Sequence, residues 1–370
     1  MKILFILYSF KSGGAEKQAL WLAQRCVGLG HKVVLFELTS GPNDTRLQPL
    51  LKAAQDAGVV VNPAQGRPIR RLWDLVATIL RQEPGLVWSW GFRADACGLV
   101  ARMVTPWRWT WLLSLRCADR ADLARKQYPH ALFHMWADGV VANSRQNVAM
   151  LHQVFYSPCK YVVLYNTLKS TGLRAMLPGD RPQKFRVVML GNLKIEHKGY
   201  DLVLEVAEGI KRRKWGMEIH IAGREDDGGW LRRTVAERDL GRICIIHGET
   251  RRPEEFLRSG SLFLMMSRYE GTPNAFLEAL DASLPSIITA VADIPHLITD
   301  GDQARVIAVG SVAECLQALE WAWGNWARAV AMGARGRAWC LAQFSEERCE
   351  QNLAALLDGI GREEAQTAQV

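Results

Sequence analysis

The sequence predicts an α/β protein with two domains, each a parallel sheet covered by helices on both faces. The chain has 370 residues, about twice the usual length of one domain. Short apolar runs such as KILFILY alternate with amphipathic stretches along most of the chain. The alternation restarts after KSTGLRAMLPGDRPQ (residues 169–183), a turn-rich segment without a clear period. Because strands joined by helices form parallel sheets, each half is expected to be Rossmann-like.

The elements of the first half follow from these runs. KILFILY precedes a helix predicted over residues 15–29, which Gly30 ends, and HKVVLFEL is the second predicted strand. Further predicted strands are GLVWSW, TWLLSLR, GVVAN and YVVLYN. Together they predict a first domain over residues 1–172.

The second half repeats the pattern. Its predicted strands are FRVVML, MEIHIAG, ICIIHG, LFLMMS and PSIITA. Helices are predicted over residues 200–213, over 230–239 and after Pro273. The second domain is predicted over residues 183–345, and a final helix over 346–360 is predicted to pack back on the first domain.

Composition narrows the class of protein. Eight scattered cysteines without a Cys-x-x-Cys pair indicate reduced thiols and a cytoplasmic protein. The apolar start, MKILFILYSF, is too short for a signal peptide and is expected to be a buried strand. Basic runs such as KRRK fall at a predicted helix end, where solvated charge is ordinary, so no nucleic-acid partner is expected.

The stretch SRYEGTPNAFLEAL (residues 267–280) carries the most chemistry. It follows a predicted strand, and ligands of open α/β sheets bind at the carboxyl ends of strands. Thr272 is expected to be the N-cap of the next helix, with Pro273 at its first position. The amides of Asn274 and Ala275 then point out of the helix start and form a site for an anion such as phosphate.

Two glutamates lie on either side of this helix start. Glu270 is expected in the loop at the mouth of the site, and Glu278 lies a full turn inside the helix. A carboxylate repels phosphate but accepts hydrogen bonds from hydroxyls, such as the two of a ribose. A nucleoside diphosphate with a sugar attached would use all of these groups.

At this point the chain resembles the family 4 glycosyltransferases of the GT-B fold, whose E-x7-E signature lies in a stretch like EGTPNAFLEAL. The resemblance implies two Rossmann-like domains facing each other across a cleft. SGGAEKQALWLA (residues 12–23) resembles the family's glycine loop, and residues 137–168 resemble its stretch before the domain crossover. In residues 187–207, Lys198 matches the lysine that neutralises the donor diphosphate. Asn192 stands where the family usually has an arginine, and Lys194 is a possible substitute.

The resemblance implies transfer of a sugar from a nucleotide donor with retention of configuration and without a metal or other cofactor. We expect a UDP-linked hexose or N-acetylhexosamine as donor sugar, and a glycan or polyprenyl-diphosphate-linked acceptor in cell-surface polysaccharide synthesis. The expected catalytic residues are Glu270 against the donor sugar, Lys198 on the diphosphate and Arg116 near the acceptor. The expected donor-binding residues are Gly13, Gly14, Asn192, Lys194, Arg268, Gly271, Thr272, Pro273, Asn274, Ala275 and Glu278.

Two alternatives stay open at the level of sequence: a UDP-sugar 2-epimerase of the same fold, and a non-catalytic subunit that binds a nucleotide sugar. Two possible metal sites are rejected. His130 and His134 are one helical turn apart but lack the glutamate of the usual zinc motif. Asp300 and Asp302 spell D-x-D, but in a predicted turn.

A membrane partner is predicted from charge and tryptophan. Residues 1–175 hold 22 Lys and Arg against 10 Asp and Glu, whereas the other residues hold 24 against 28. RMVTPWRWTWLLSLR (residues 102–116) mixes Trp107, Trp109 and Trp111 with arginines, a combination suited to lipid headgroups. We therefore expect the first half to bind an anionic membrane peripherally, on its inner face.

Overall fold

The computed structural model confirms two α/β units with parallel sheets. The structure describes residues 1–10, 14–39, 47–107, 109–116, 120–173, 175, 182–225 and 228–367, and no side chains for 120–122 and 362–367. Unit 1 is Met1–Thr167 together with the chain from Glu347, and unit 2 is Leu168–Glu346. The change from unit 1 to unit 2 thus falls just before the turn-rich segment that the sequence indicates as the linker.

In unit 1, the described residues form a seven-stranded sheet in the order β3-β2-β1-β4-β5-β6-β7, with parallel pairing throughout. Its strands are β1 Lys2–Leu7, β2 Lys32–Glu37, β3 Val60–Pro63, β4 Leu86–Trp90, β5 Thr110–Leu115, β6 Gly139–Ala142 and β7 Lys160–Val163. The helices of its first segment are α1 Gly14–Gly28, α2 Gln48–Asp56, α3 Pro68–Gln82, α4 Phe92–Val104, α5 Arg120–Arg125, α6 Gln127–Trp136 and α7 Arg145–Val154.

In unit 2, the described part forms a six-stranded parallel sheet in the order β10-β9-β8-β11-β12-β13. Its strands are β8 Phe185–Leu190, β9 Met217–Ala222, β10 Cys244–Gly248, β11 Leu262–Met265, β12 Ser286–Thr289 and β13 Arg305–Ile307. Its helices are α8 Ile195–Lys198, α9 Tyr200–Arg213, α10 Trp230–Glu237, α11 Pro253–Arg258, α12 Asn274–Asp281, α13 Ile294–Leu297, α14 Val312–Gly324 and α15 Trp326–Phe344.

The last helix, α16, runs over Glu346–Thr367 and belongs to unit 1 from Glu347 onward. Four of its side chains, Cys349, Leu353, Leu357 and Ile360, lie in the same apolar core as β1 and α1. They recur at intervals of three or four residues, the spacing that places side chains on one helix face. The chain therefore returns to unit 1 after completing unit 2.

The central strands of both sheets are buried on both faces. Each residue of β4 is buried, and so is each residue of β11 and of β12. Strands in parallel sheets covered by helices on both sides need apolar side chains in both directions, which explains their continuous apolar runs. This burial fixes the sheets and leaves the loops at the carboxyl ends of the strands to carry polar groups.

Two of the three tryptophans of residues 102–116 are buried and cannot form the expected membrane contact. Trp109 and Trp111 are 1% and 0% exposed, and the indole of Trp111 donates a hydrogen bond to Ser89 Oγ at 3.0 Å. Arg102 donates to the Trp109 carbonyl and pairs with Asp138 at 3.1 Å. The prediction that Trp109 and Trp111 contact headgroups is wrong, because both belong to the core. Arg102 is paired, Trp107 is half-buried, and Arg108 lies outside the described residues.

Asp281, at the end of α12, anchors the chain segment that enters unit 2. Its buried carboxylate accepts hydrogen bonds from Ser170 Oγ at 2.6 Å and the Thr171 amide at 2.9 Å, and Arg337 Nη2 lies 3.3 Å away. We predict that Asp281→Ala lowers the free energy of unfolding by about 3–5 kcal/mol, because it removes the buried carboxylate that Ser170, Thr171 and Arg337 share. Chemical denaturation measures this loss.

The matched control for Asp281→Ala is Glu255→Ala, which breaks an exposed pair with Arg252. Exposed pairs contribute little, so this variant should unfold almost like the unchanged protein. Equal stability of both variants would contradict the anchoring role of Asp281.

Candidate functional site

Two loops of unit 2 meet at the carboxyl edge of its sheet. One follows β8 and leads through α8 to Lys198, and the other runs from Met266 to Pro273, between β11 and α12. Since β8 and β11 are hydrogen-bonded neighbours, their carboxyl ends lie side by side. This is the edge at which open α/β sheets bind ligands.

Lys198 and Glu270 join these loops. Lys198 Nζ lies 2.5 Å from Glu270 Oε1, and Ser267 Oγ donates to the same carboxylate oxygen at 2.8 Å. The Glu270 residue is 8% exposed. The loop position predicted for Glu270 is confirmed, but its carboxylate is buried and paired instead of standing open at the mouth.

Gly199 allows this close approach. It has a φ of +68°, and a Cβ at this position would lie 2.2 Å from the carbonyl oxygen of Met266. The conformation favours glycine, and the contact leaves no room for a side chain. The Arg268 amide also donates to the His197 carbonyl at 2.9 Å, so backbone contacts on both sides of Lys198 hold the two loops together.

His197 adds a second titratable group beside Glu270. Its ring stacks on Tyr269 with centroids 4.3 Å apart, and its Nε2 lies 3.9 Å from Glu270 Oε2. Burial lowers the pKa of His197, the Glu270 carboxylate acts in the opposite direction, and the Lys198 and Lys194 ammonium groups lower the pKa further. The imidazole is therefore mostly neutral near pH 7.

The charge of Glu270 is held by its neighbours. Burial would raise the pKa of this carboxyl, but Lys198, His197 and the hydrogen bond from Ser267 outweigh burial and lower it below the ordinary value. Glu270 is therefore ionised near neutral pH. The site thus contains an ion pair between the half-buried Lys198 and the buried Glu270.

The start of α12 differs from the prediction by one residue. The helix begins at Asn274, and Pro273 is the N-cap, with no side-chain capping bond. The amides of Phe276 and Leu277 both donate to the Pro273 carbonyl, at 3.0 and 3.2 Å, so the first turn closes on Pro273 and not on Thr272. The expected amides, those of Asn274 and Ala275, still lead the helix, where intrahelical acceptors are lacking.

An open pocket lies where these groups converge. Five predicted site residues line it: Lys198, Glu270, Pro273, Asn274 and Ala275. Its floor is apolar and comes from the ends of β8 and β11. The pocket therefore offers an ammonium group, a carboxylate and the positive end of a helix above an apolar floor.

Other predicted residues do not line this pocket: Asn192, Lys194, Arg268, Gly271, Thr272 and Glu278. Arg268 is bound in a fork to Asp201, with nitrogen–oxygen distances of 2.8 and 2.5 Å. Lys194 is exposed at the N-cap of α8, and Glu278 is half-buried in α12. Arg268 thus braces the start of α9 in this structure.

In unit 1, the predicted residues fall after β1 and β5. Gly13 lies outside the described residues, and Gly14 is the exposed first residue of α1. Arg116 follows β5 with its guanidinium over the Trp90 ring, 4.0 Å from the centroid. Burial lowers the pKa of Arg116 to about 9, so it stays charged near pH 7, and its buried Nε has no hydrogen-bond partner among the described residues.

The rejected metal motifs have other partners. Asp302 pairs with Arg335 at 2.6 Å, Asp300 accepts a hydrogen bond from the Val306 amide, and Gly301 between them lies in a turn. The buried His134 contacts Ser157 Oγ at 2.8 Å. Across the described part of the chain, no group of three or more His, Cys, Asp or Glu side chains could hold a metal ion.

Sequence reasoning did not single out four residues of this site: Ser267, His197, Gly199 and Tyr200. Tyr200 lines the pocket, and its hydroxyl donates to the Gly191 carbonyl at 3.0 Å. The Lys-Gly pair before a helix could have indicated Gly199. The contacts of Ser267 and His197 with Glu270 depend on the meeting of the two loops.

Family comparisons agree with this architecture. Residues 13–167 match a model described as a glycosyl transferase 4-like domain, and residues 184–325 match one described as glycosyl transferases group 1. The two sheets and the loop site thus define a glycosyltransferase of the GT-B fold. The chain belongs to the family 4 glycosyltransferases, as the sequence predicted.

Two solved structures share the fold over nearly the whole chain. Sucrose-phosphate synthase from Thermosynechococcus elongatus has a TM-score of 0.81 at 16% identity, covering 98% of this chain and 99% of that one. Anabaena HepE in complex with UDP-glucose has a TM-score of 0.80 at 16% identity, covering 97% and 100%. At such identities the likeness shows the fold alone.

Two relatives are similar over shorter stretches. A poly(ribitol-phosphate) alpha-N-acetylglucosaminyltransferase of Staphylococcus aureus is 22% identical over 40% of this chain and 31% of its own. The amylovoran biosynthesis glycosyltransferase AmsD of Erwinia amylovora is 26% identical over 28% of each chain. The chain thus matches less than a third of the length of these relatives.

The Lys198–Glu270 pair predicts a pH dependence of stability. Because the folded pKa of Glu270 is lowered, its contribution is present above the unfolded pKa and is lost as the pH falls through the folded pKa. We predict that Glu270→Gln unfolds more easily than the unchanged protein near pH 6, and that the difference shrinks towards about pH 3. Denaturant unfolding at several pH values measures it.

Glu205→Gln on α9 is the control, because it changes a carboxylate that does not line the pocket. Its stability difference should stay small across the same pH range. A difference for Glu270→Gln that does not vary with pH would contradict the assignment.

Proposed function

We propose that the protein transfers a UDP-linked hexose or N-acetylhexosamine, with retention of configuration, to a glycan or lipid-linked acceptor in cell-surface polysaccharide synthesis. The observation that carries this proposal is the convergence of Lys198, Glu270 and the start of α12 on one pocket of unit 2. HepE is described in complex with UDP-glucose, and the relatives are described as an N-acetylglucosaminyltransferase and an amylovoran biosynthesis enzyme. These descriptions are consistent with a UDP-linked sugar as donor and a cell-surface glycan as acceptor.

In the proposed reaction, the bond between the anomeric carbon and the diphosphate oxygen breaks while the acceptor oxygen bonds to that carbon on the same face. The departing phosphate takes the proton of the acceptor hydroxyl. Lys198 and the amides of Asn274 and Ala275 stabilise the charge that develops on the diphosphate. Glu270 orients the donor sugar, Glu278 accepts hydrogen bonds from the ribose, and Arg116 is assigned to the acceptor.

The proposed site works at the inner face of a membrane in the cytoplasm. Seven cysteines in the described residues are free, as in a reducing compartment. No helix of the described chain is long and apolar enough to cross a membrane. An anionic membrane surface would bring the enzyme to a polyprenyl-diphosphate-linked acceptor.

A thermal-shift panel of nucleotide sugars tests the proposal, because a ligand that binds the native state raises the melting temperature. We expect UDP-sugars to stabilise the protein, with UDP release dependent on an acceptor. Stabilisation by none of the panel would contradict the donor class. Conversion of the donor sugar without any acceptor would instead support the epimerase alternative.

Alanine substitutions of the two glutamates, Glu278 and Glu270, are predicted to have different kinetic effects. Glu278→Ala should weaken binding of the donor, because it removes a ribose contact, whereas Glu270→Ala should lower kcat more than donor affinity. A lost charge-assisted hydrogen bond corresponds to about 1.5–3 kcal/mol, or about ten- to a hundredfold. Donor titration and steady-state kinetics measure both, and unchanged values in both variants would remove the assignment.

Chelators are predicted to leave activity intact. Lys198 and the helix-start amides supply positive charge to the diphosphate, so the proposed reaction needs no metal. The measurement is product formation with EDTA present, and again after adding Mn²⁺. Loss with EDTA and recovery with Mn²⁺ would contradict the metal-free mechanism.

A further inference from the structure

Three neighbouring helices, α3, α4 and α6, cover one face of the unit 1 sheet. α3 contacts α4, and α4 contacts α6, partly through the rings of Phe92 and His130, whose centroids lie 5.2 Å apart. Their inner sides join the apolar core: Leu75, Val76 and Ile79 of α3, Leu99 of α4 and Phe133 of α6. We call these three helices the α3/α4/α6 layer.

The outer side of this layer is also apolar. Seventeen large apolar side chains are exposed in the described chain, and ten of them lie on these three helices. These ten are Ile69, Trp73 and Leu80 on α3, Val100, Met103 and Val104 on α4, and Tyr128, Leu132, Met135 and Trp136 on α6. An exposed concentration of this kind marks a binding surface.

The spacing places these side chains in stripes. On α6 the four residues are separated by four, three and one positions along the chain. This spacing places their side chains on one face of the helix. On α3, Ile69 and Trp73 are four apart, and each is 64% exposed. Each helix therefore has an apolar outer stripe in addition to its buried inner stripe.

The charges around the stripes are mainly positive. Arg67, Arg70 and Arg81 are exposed on α3 or its N-cap, and Arg93 is exposed on α4. Against them stand Glu83, exposed at the end of α3, and the half-buried Asp74. A second copy of the chain would bring these arginines against one another, and like charges oppose such a contact.

We propose that the α3/α4/α6 layer binds an anionic membrane surface. Tryptophan, tyrosine and aliphatic side chains flanked by arginine suit the boundary between headgroups and acyl chains, where rings and basic side chains both gain. The proposal deepens the proposed function, on which it rests for the lipid-linked acceptor. Of the ten exposed apolar side chains of the layer, only Met103 and Val104 belong to the 102–116 stretch, whose Trp109 and Trp111 lie in the core.

Co-sedimentation with vesicles tests this surface, using phosphatidylcholine alone and with increasing phosphatidylglycerol, at low and high salt. We expect binding to rise with the anionic fraction and to fall with salt. Ile69→Ser/Trp73→Ser should weaken binding about tenfold by removing apolar contact. Arg67→Gln/Arg70→Gln/Arg81→Gln should weaken binding to anionic vesicles about a hundredfold, or about fivefold per arginine.

The apolar control is Tyr156→Ser, which alters a large side chain outside the layer that is 83% exposed. The charge control is Arg212→Gln/Lys214→Gln at the end of α9 in unit 2, which removes two exposed basic groups outside the layer. Both controls should bind vesicles like the unchanged protein. Thermal unfolding of every variant confirms that the fold is intact.

Absence of binding to anionic vesicles at low salt would overturn the proposal, and so would equal binding by the layer variants and their controls. Dimer formation through Trp73, measured by sedimentation equilibrium without lipid, would assign the layer to a second copy instead. Thermal shift with UDP-sugars, run on the same samples, separates the two proposals. If UDP-sugars do not raise the melting temperature but the protein still binds anionic vesicles, the proposed donor class is wrong and the membrane-binding surface is supported.

Discussion

The ion pair between Lys198 and the buried Glu270 is the interaction on which the candidate site depends. An ionised carboxylate inside a protein needs an opposite charge and hydrogen bonds. Glu270 has both, from Lys198 Nζ at 2.5 Å and Ser267 Oγ at 2.8 Å. Gly199, next to Lys198, lets the loop after β8 lie against the carbonyl of Met266, where a side chain would clash. Backbone conformation, loop packing and charge are thus coupled at one point.

The pair also suggests how the pocket could respond to a ligand. A diphosphate that bound the ammonium group of Lys198 would compete with the Glu270 carboxylate for this cation. His197 Nε2 lies 3.9 Å from the Glu270 carboxylate, and its imidazole is mostly neutral in this structure. If Glu270 lost Lys198 as its ion-pair partner, His197 could take up a proton and supply a positive charge in its place. Arg268 would not compete, because Asp201 holds it in a fork.

Tryptophan has two different roles in unit 1. Trp109 and Trp111 lie in or beside a buried strand, and their indole groups donate to Thr105 and Ser89 inside the protein. Trp73 lies on the outer stripe of a surface helix, 64% exposed and flanked by arginine. Both stretches combine tryptophan with arginine in the sequence. The two stretches differ in how many of their sides pack against other elements of the protein. A central strand is covered on both faces, whereas a surface helix is covered on one side only.

Local patterns in the sequence predicted eleven of the thirteen described strands, all but β3 and β13, together with the bounds of a few helices and the helix start near Pro273. The spacing of apolar residues and the chemistry of helix starts act over a few residues, which is why they can be read locally. The helix predicted over 200–213 is Tyr200–Arg213, and the one predicted over 15–29 is Gly14–Gly28. Tertiary structure decided the partner of Glu270, which lies 72 residues away along the chain. It also decided which tryptophans face solvent. Such contacts depend on how distant loops and helices meet, and no local pattern contains that geometry.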